Sequence, residues 1–324
     1  MIMLKIIKKL IRILFYLIPS FIRKPLNIFL EKQKTIGSKN YNYHKKIAFR
    51  QKGNYIISNA LQKEEPILIA RIGHNELNCI DFYHNNRPEN YPEDLLDRCS
   101  NNAGIYPKDE KIFDKFSEIY IDAISNTDVM AVWNNKGEPE IVEKFCPSSY
   151  LIGLSSIDSY LYKNPWSLNL RNKKVLVISP FDKTIEKQYQ KRELLFEDKD
   201  ILPEFNLITY KAVQAMGGGN DNFPSWIEAY EKMCRDVEKI DFDIAIISAG
   251  AFGLPLASFC KKQGKQAVHM GGAAQLLFGI KGGRWDKMPK VKAFYNDYWV
   301  NLPEESKPNN IDKIILYEGM LPYW

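Results

Sequence analysis

From Pro66 onward, short apolar runs alternate with longer amphipathic ones. "PILIARIG" reads as a buried strand, followed by a turn at "HNE"; "KFSEIYIDAIS" has helical spacing and "DVMAVW" reads as the next strand. After a Pro/Trp turn at "KNPW" comes "KKVLVISPF", a strand that ends in a turn. The helix "IEKQYQKRELLF", the strand "NLITYKAV", the glycine turn "GGGN", the helix "SWIEAYEKMCRDVEKI" and the strand "DIAIISAG" complete the pattern. Strand, turn, helix and strand in succession predict an α/β fold: a mostly parallel, Rossmann-like sheet with helices on both faces. Ligands of such sheets gather at the carboxyl ends of the strands, and "RIGHNE", "SPF" and "SAGAFG" fall there.

The first residues follow another pattern. In "MIMLKIIKKLIRILFYLIPSFIRK", Lys5, Lys8, Lys9 and Arg12 share one helical stripe, and Ile6, Ile7, Leu10, Ile13, Leu14 and Leu17 fill much of the remainder. The longest uncharged run, Ile13 to Ile22, is ten residues and contains Pro19. About twenty apolar residues are needed to span a bilayer, so this segment does not span. No small-x-small cleavage site follows it, as a signal peptide requires. The expectation is an amphipathic helix lying on an anionic membrane surface, with a terminal helix docked on its own domain or a second subunit as the alternative. Residues 1–35 therefore form a basic membrane-associating segment and residues 36–324 a single α/β domain.

Charge supports that division. The chain has 324 residues and a net charge of +6. Residues 1–35 hold eight Lys and Arg against the single acid Glu31, a net +7, which leaves the rest near neutral. A nucleic-acid reader carries its basic patch on the folded body, so nucleic acid is not expected as a partner. The five cysteines, at 79, 99, 146, 234 and 260, form no C-x-x-C pair. They read as reduced thiols of a cytoplasmic protein, here placed on the inner face of the plasma membrane.

Between Ile244 and Trp285 there is no Asp or Glu, while Lys261, Lys262, Lys265, Lys281 and Arg284 are present and eight of the chain's 18 glycines lie there. Glycine lets backbone approach a ligand closely, and free amides at a helix start attract anions. "IISAGAFGLPLASFCKK" has the form strand, glycine turn, helix, and "HMGGAAQLLFG" repeats it. Candidate diphosphate contacts are Ser248, Gly250, Ala251 and Gly253 in the first turn, and His269, Gly271, Gly272, Gln275, Lys281 and Arg284 in the second. The competing view is that these glycines serve only tight turns and close packing. A dinucleotide cofactor is disfavoured because G-x-G-x-x-G is absent. Trp166, Trp226 and Trp285 are candidates to stack on sugar rings, with core packing as the alternative.

Arg71, His74 and Glu76 at the end of the first strand form a candidate acid/base or metal corner. Together, "RIGHNEL", "KVLVISPF", "SAGAFGLPLA" and "HMGGAAQLLFGIKGGRW" resemble bacterial glycosyltransferases of the GT-D fold, over roughly residues 60–324. The resemblance implies transfer of a sugar from a nucleotide diphosphate sugar to a glycan acceptor, lipid-linked, in bacterial cell-surface polysaccharide synthesis. It also implies a divalent cation, Mn or Mg, at an Asp-x-Glu turn. Here His74 stands at the Asp position and Glu76 keeps the second, which makes a poorer site for ions that prefer oxygen. Glu76 or His74 can instead activate the acceptor hydroxyl. Two alternatives stay open: a phosphoribosyl- or phosphosugar-handling transferase, and a non-catalytic, membrane-tethered subunit of a polysaccharide assembly complex.

Overall fold

The chain divides into units of residues 1–42 and 43–324. A computed structural model describes residues 43–324 except 221, 309, 312, 313 and 315–320. The expected amphipathic helix within residues 1–35 lies outside the described residues. Among those described, no helix is long and apolar enough to cross a membrane.

Seven strands build one sheet: β1 (Ile67–Arg71), β2 (Val129–Val132), β3 (Tyr150–Gly153), β4 (Lys174–Ser179), β5 (Asn206–Lys211), β6 (Ile244–Ile247) and β7 (Gln266–His269). Every pairing is parallel and the order is β3-β2-β1-β7-β6-β4-β5. The central strands are covered on both faces, which is why they read as unbroken apolar runs. Side chains alternate across the sheet. Leu68, Ala70, Met130, Ile178 and Ile247 join one buried cluster, and Ile69, Val129, Val177, Ile246 and Val268 join the other.

Eight helices matter for the site. They are α1 (Gln51–Leu61), α2 (His74–Asn86), α3 (Glu110–Ser125), α4 (Glu138–Phe145), α5 (Asp182–Tyr189), α6 (Trp226–Val237), α7 (Gly253–Lys262) and the single turn α8 (Ala274–Leu277). Local chemistry sets their starts. The Asp109 side chain accepts from the amides of Lys111 and Ile112 at 2.9 and 3.2 Å and so begins α3. Ser225 accepts from the Glu228 amide at 3.3 Å and donates to the Glu228 carboxylate at 3.2 Å, and so caps α6. α6 then buries Trp226, Ala229, Met233 and Val237, the stripe that helical spacing predicts.

Two sequence expectations are corrected. "HNE" is not a turn: α2 begins at His74, directly after Gly73, and places Glu76 on its first turn. The predicted helix "IEKQYQKRELLF" is broken after Tyr189, and its remainder forms a separate turn, Arg192–Leu195.

The crossovers locate the site. After β1 the chain passes to the face of the first cluster, where α2 contributes Leu77 and Ile80. After the neighbouring β7 it passes to the opposite face, where Ala274, Leu276 and Leu277 are buried. Adjacent parallel strands whose continuations part in this way leave a crevice beyond their carboxyl ends. β6 adds a second divergence beside β7, because α7 packs with the first cluster through Leu254, Leu256 and Cys260.

Candidate functional site

A cleft of about 590 Å³ opens at this divergence. Its walls come from the ends of β1 (Arg71, Gly73, His74, Glu76), β2 (Trp133, Asn135), β6 (Gly250) and β7 (His269, Gly271, Gly272), with Arg98, Asn102, Arg284 and Tyr323. A narrow neck along Ser248–Gly250, Met216, Phe181 and Tyr323 continues toward β4. Glu76 is the one carboxylate among these lining residues, against three arginines. Arg98 is paired with Asp94 at 2.6 Å, so the cleft is less cationic than the count of arginines suggests.

Arg71 is the centre. Its guanidinium carbon stands 4.8 Å over the Trp133 ring, and one terminal nitrogen donates to the Ile72 carbonyl at 3.3 Å. A β-carbon at Gly271 would meet that guanidinium at 2.7 Å, and Gly271 has φ +62°, so two constraints select glycine there. The guanidinium lowers the proton affinity of His269, which burial, the larger cause, already drives down; together they take it to about 3. His269 is therefore a neutral imidazole at physiological pH.

Four buried polar atoms lie just under the cleft wall without a partner of good geometry among the described residues. They are Arg71 Nε, Asn102 Oδ1, Asn135 Nδ2 and His269 Nδ1. Atoms of this kind beside a cleft are ones that water or a bound polar ligand can satisfy.

The loop after β2 is held by Glu138, the fully buried first residue of α4. Its carboxylate accepts from Tyr43 Oη at 2.9 Å and from the amides of Trp133 and Asn135, each at 3.1 Å. Burial raises its pKa, and those three donors with Arg71 pull it back. The result positions Trp133 against Arg71, and Asn135 against His74, whose Nδ1 lies 3.3 Å from Asn135 Oδ1. The other His74 nitrogen lies 3.3 Å from Asn78 Nδ2.

The metal expectation does not fit these residues. His74 is exposed with both ring nitrogens engaged by amides, and the Glu76 carboxylate lies back over Gly73, where a β-carbon would meet it at 2.0 Å. Among the described residues no group of three or more His, Cys, Asp or Glu could hold a metal ion. The nearby arginines also disfavour a second cation.

The glycine-rich candidates divide. Gly250, His269, Gly271, Gly272 and Arg284 line the cleft and Ser248 the neck. Gly253 and Ala251 do not: Ala251 is fully buried, and Gly253 lacks a side chain because the His269 ring occupies that space, 2.3 Å from a β-carbon. Gln275 is a structural staple whose amide donates to the Lys281 carbonyl at 2.7 Å and the Tyr323 carbonyl at 3.2 Å. Lys281 is not in the cleft; its Nζ stands 5.4 Å over the Tyr295 ring. Arg284 stacks on Tyr323 at 5.1 Å. Of the tryptophans, Trp166, Trp226 and Trp285 are buried packing residues, and Trp133, 38% exposed, faces the cleft, as Tyr323 does.

Comparison with known proteins finds no matching family model, no matching curated protein and no matching solved structure.

Proposed function

We propose that the chain is a glycosyltransferase that moves a sugar from a nucleotide diphosphate sugar to a glycan acceptor, lipid-linked, at an anionic membrane surface. The observation that carries this reading is the Arg71-centred cleft at the β1/β7 divergence, with three arginines in its lining and four unmet polar atoms beneath it. Glycosyl transfer requires positive charge on the departing diphosphate and a base at the acceptor hydroxyl. Arg71, Arg98 and Arg284 suit the first demand, with the Gly271–Gly272 turn admitting the ligand close to backbone. Glu76, the one lining carboxylate, suits the second: it would take the acceptor proton as the hydroxyl oxygen attacks the anomeric carbon and the diphosphate departs.

A thermal-shift panel of UDP, GDP, CMP and phosphoribosyl diphosphate, followed by turnover of the matching radiolabelled nucleotide sugar, tests the reading. A nucleoside diphosphate that raises Tm and whose sugar nucleotide is turned over supports it. Stabilisation by phosphoribosyl diphosphate alone redirects it to phosphosugar transfer. Binding without turnover on any glycan acceptor leaves a non-catalytic subunit, and no shift with any ligand rejects it.

A further inference from the structure

A second cleft, of about 510 Å³, opens at the same end of the sheet, beyond the carboxyl ends of β4 and β5. Pro180, directly after β4, and Lys211, the last residue of β5, both line it. The neck joins it to the Arg71 cleft. Val213 and Gln214 line the neck and the second cleft, Gly250 and Tyr323 line the neck and the first, and Met216 lines all three.

The two clefts differ in chemistry. The first offers the guanidinium groups of Arg71 and Arg284. The second offers amides. The side chains of Gln214, Asn222 and Asn310 line it and make no hydrogen bond among the described residues. Asn220 instead holds its own loop: its Nδ2 donates to the Gln214 carbonyl at 2.9 Å and its Oδ1 accepts from the Asn222 amide at 3.0 Å. Charge nearly cancels. Lys307 is paired with Glu304 at 2.5 Å, which leaves Lys211 against Glu305 among the described lining residues. Phe223, half-buried, adds an aromatic ring.

We infer that the second cleft is a subsite for uncharged sugar units of the acceptor glycan. A side-chain amide both donates and accepts, which suits the hydroxyl groups of a sugar, and an aromatic ring gives its C–H face an apolar surface. The phosphates of a nucleotide need the cations of the other cleft. Size agrees, because sites for small ligands enclose about 300–1,000 Å³, so each cleft has the volume for one substrate of a two-substrate reaction. β5 lies four strands from β1, roughly 19 Å at the spacing of a sheet. An acceptor whose reacting hydroxyl meets Glu76 while its other end lies against Asn222 is therefore an oligosaccharide, not a single sugar. The inference rests on the proposed function for the direction of transfer; binding of the glycan itself does not require turnover.

The test is binding of the full chain to an array of immobilised neutral and acidic oligosaccharides, with monosaccharides beside them, repeated with saturating UDP, GDP or CMP. It compares the parent with Gln214→Ala/Asn222→Ala/Asn310→Ala. Those side chains hold nothing else among the described residues, so unchanged circular dichroism and Tm are expected and serve as the folding control. Asn222→Arg, a bulky cation introduced from an exposed position, is the second variant. The parent is expected to bind neutral oligosaccharides, to ignore monosaccharides, and to keep its glycan when nucleotide is added. Each variant should bind the same glycan about tenfold or more weakly, with nucleotide affinity by calorimetry within about twofold, the scale set by loss of neutral hydrogen bonds. Glycan binding that both variants retain, or a parent that binds no oligosaccharide, overturns the subsite. Loss of nucleotide affinity in the triple variant, or displacement of the glycan by nucleotide, places the nucleoside in the second cleft and also overturns it. Glycan binding that the variants lose, without turnover of any sugar nucleotide, upholds the subsite and rejects the transferase reading.

Discussion

Replacing Arg71 by Ala removes the central cation of the cleft and with it the charge that supports the buried Glu138 carboxylate. The substitution loses the stacking of the guanidinium over Trp133 at 4.8 Å, worth about 0.5–1 kcal/mol. It also loses the bond to the Ile72 carbonyl and the positive charge that offsets the burial of Glu138, so Tm without ligand should fall by several degrees. The ligand effect is read at a temperature where the variant is folded. A charge-assisted hydrogen bond to a phosphate oxygen is worth about 1.5–3 kcal/mol, which predicts nucleoside diphosphate affinity roughly 10- to 150-fold lower. Arg71→Lys keeps the charge without the planar fork and should recover only part of the loss. Calorimetry with the nucleoside diphosphate and its parent nucleoside separates the possibilities. An unchanged diphosphate affinity, or equal losses for both ligands, refutes the role given to Arg71.

Glu76→Gln should cut turnover by roughly 100-fold or more while nucleotide affinity stays within a few-fold; activity near the parent would make Glu76 only a helix-start residue. His269 is held neutral, with its pKa lowered from 6.5 to about 3, so the unfolded chain takes up a proton that the folded chain refuses. Its contribution is therefore present in full above pH 6.5 and is lost as pH falls toward 3, at up to about 1.4 kcal/mol per pH unit. Denaturant midpoints across that window should fall less steeply for His269→Gln than for the parent, and parallel curves would contradict the assignment. Gly253→Ala should cost about 1–3 kcal/mol, read as a lower midpoint, because the new methyl meets the His269 ring at 2.3 Å. Adding His269→Ser should restore part of that loss; no recovery would mean that the clash lies elsewhere.

The parallel sheet was legible because each central strand is buried on both faces and so reads as an apolar run. The carboxyl-end motifs were legible for the same reason, since the end of a run marks the end of a strand. β3 was not, because "YLIG" contributes four residues between polar stretches and leaves Tyr150 exposed. The start of α2 was hidden by a cap, Gly73, whose side chain can signal nothing. Glycine density pointed to the cleft but not to the direction of neighbouring side chains. Gln275 turns inward to hold carbonyls, Lys281 onto Tyr295, and Gly253 makes room for a ring. "WNNKGEPE" carries no apolar period that singles it out, yet it supplies Trp133, Asn135 and the carboxylate that holds them, bonds visible only once β2 lies beside β1. Tyr323 is brought in from about forty residues beyond Arg284 in the chain, beyond any local pattern.

The strand order has a consequence for how the molecule comes into being. β7 lies between β1 and β6, so the strand that joins the two halves of the sheet is the last of the seven to leave the ribosome. Until then β1 and β6 each present an unpaired edge from an apolar strand, the sort of edge that recruits other chains. Nascent chains stopped before residue 266 should hold two partial sheets, be prone to self-association and favour chaperone binding. They would also have no cleft, because its two central walls meet only when β7 inserts. Anion binding should accordingly appear in one step, late in synthesis, together with completion of the sheet.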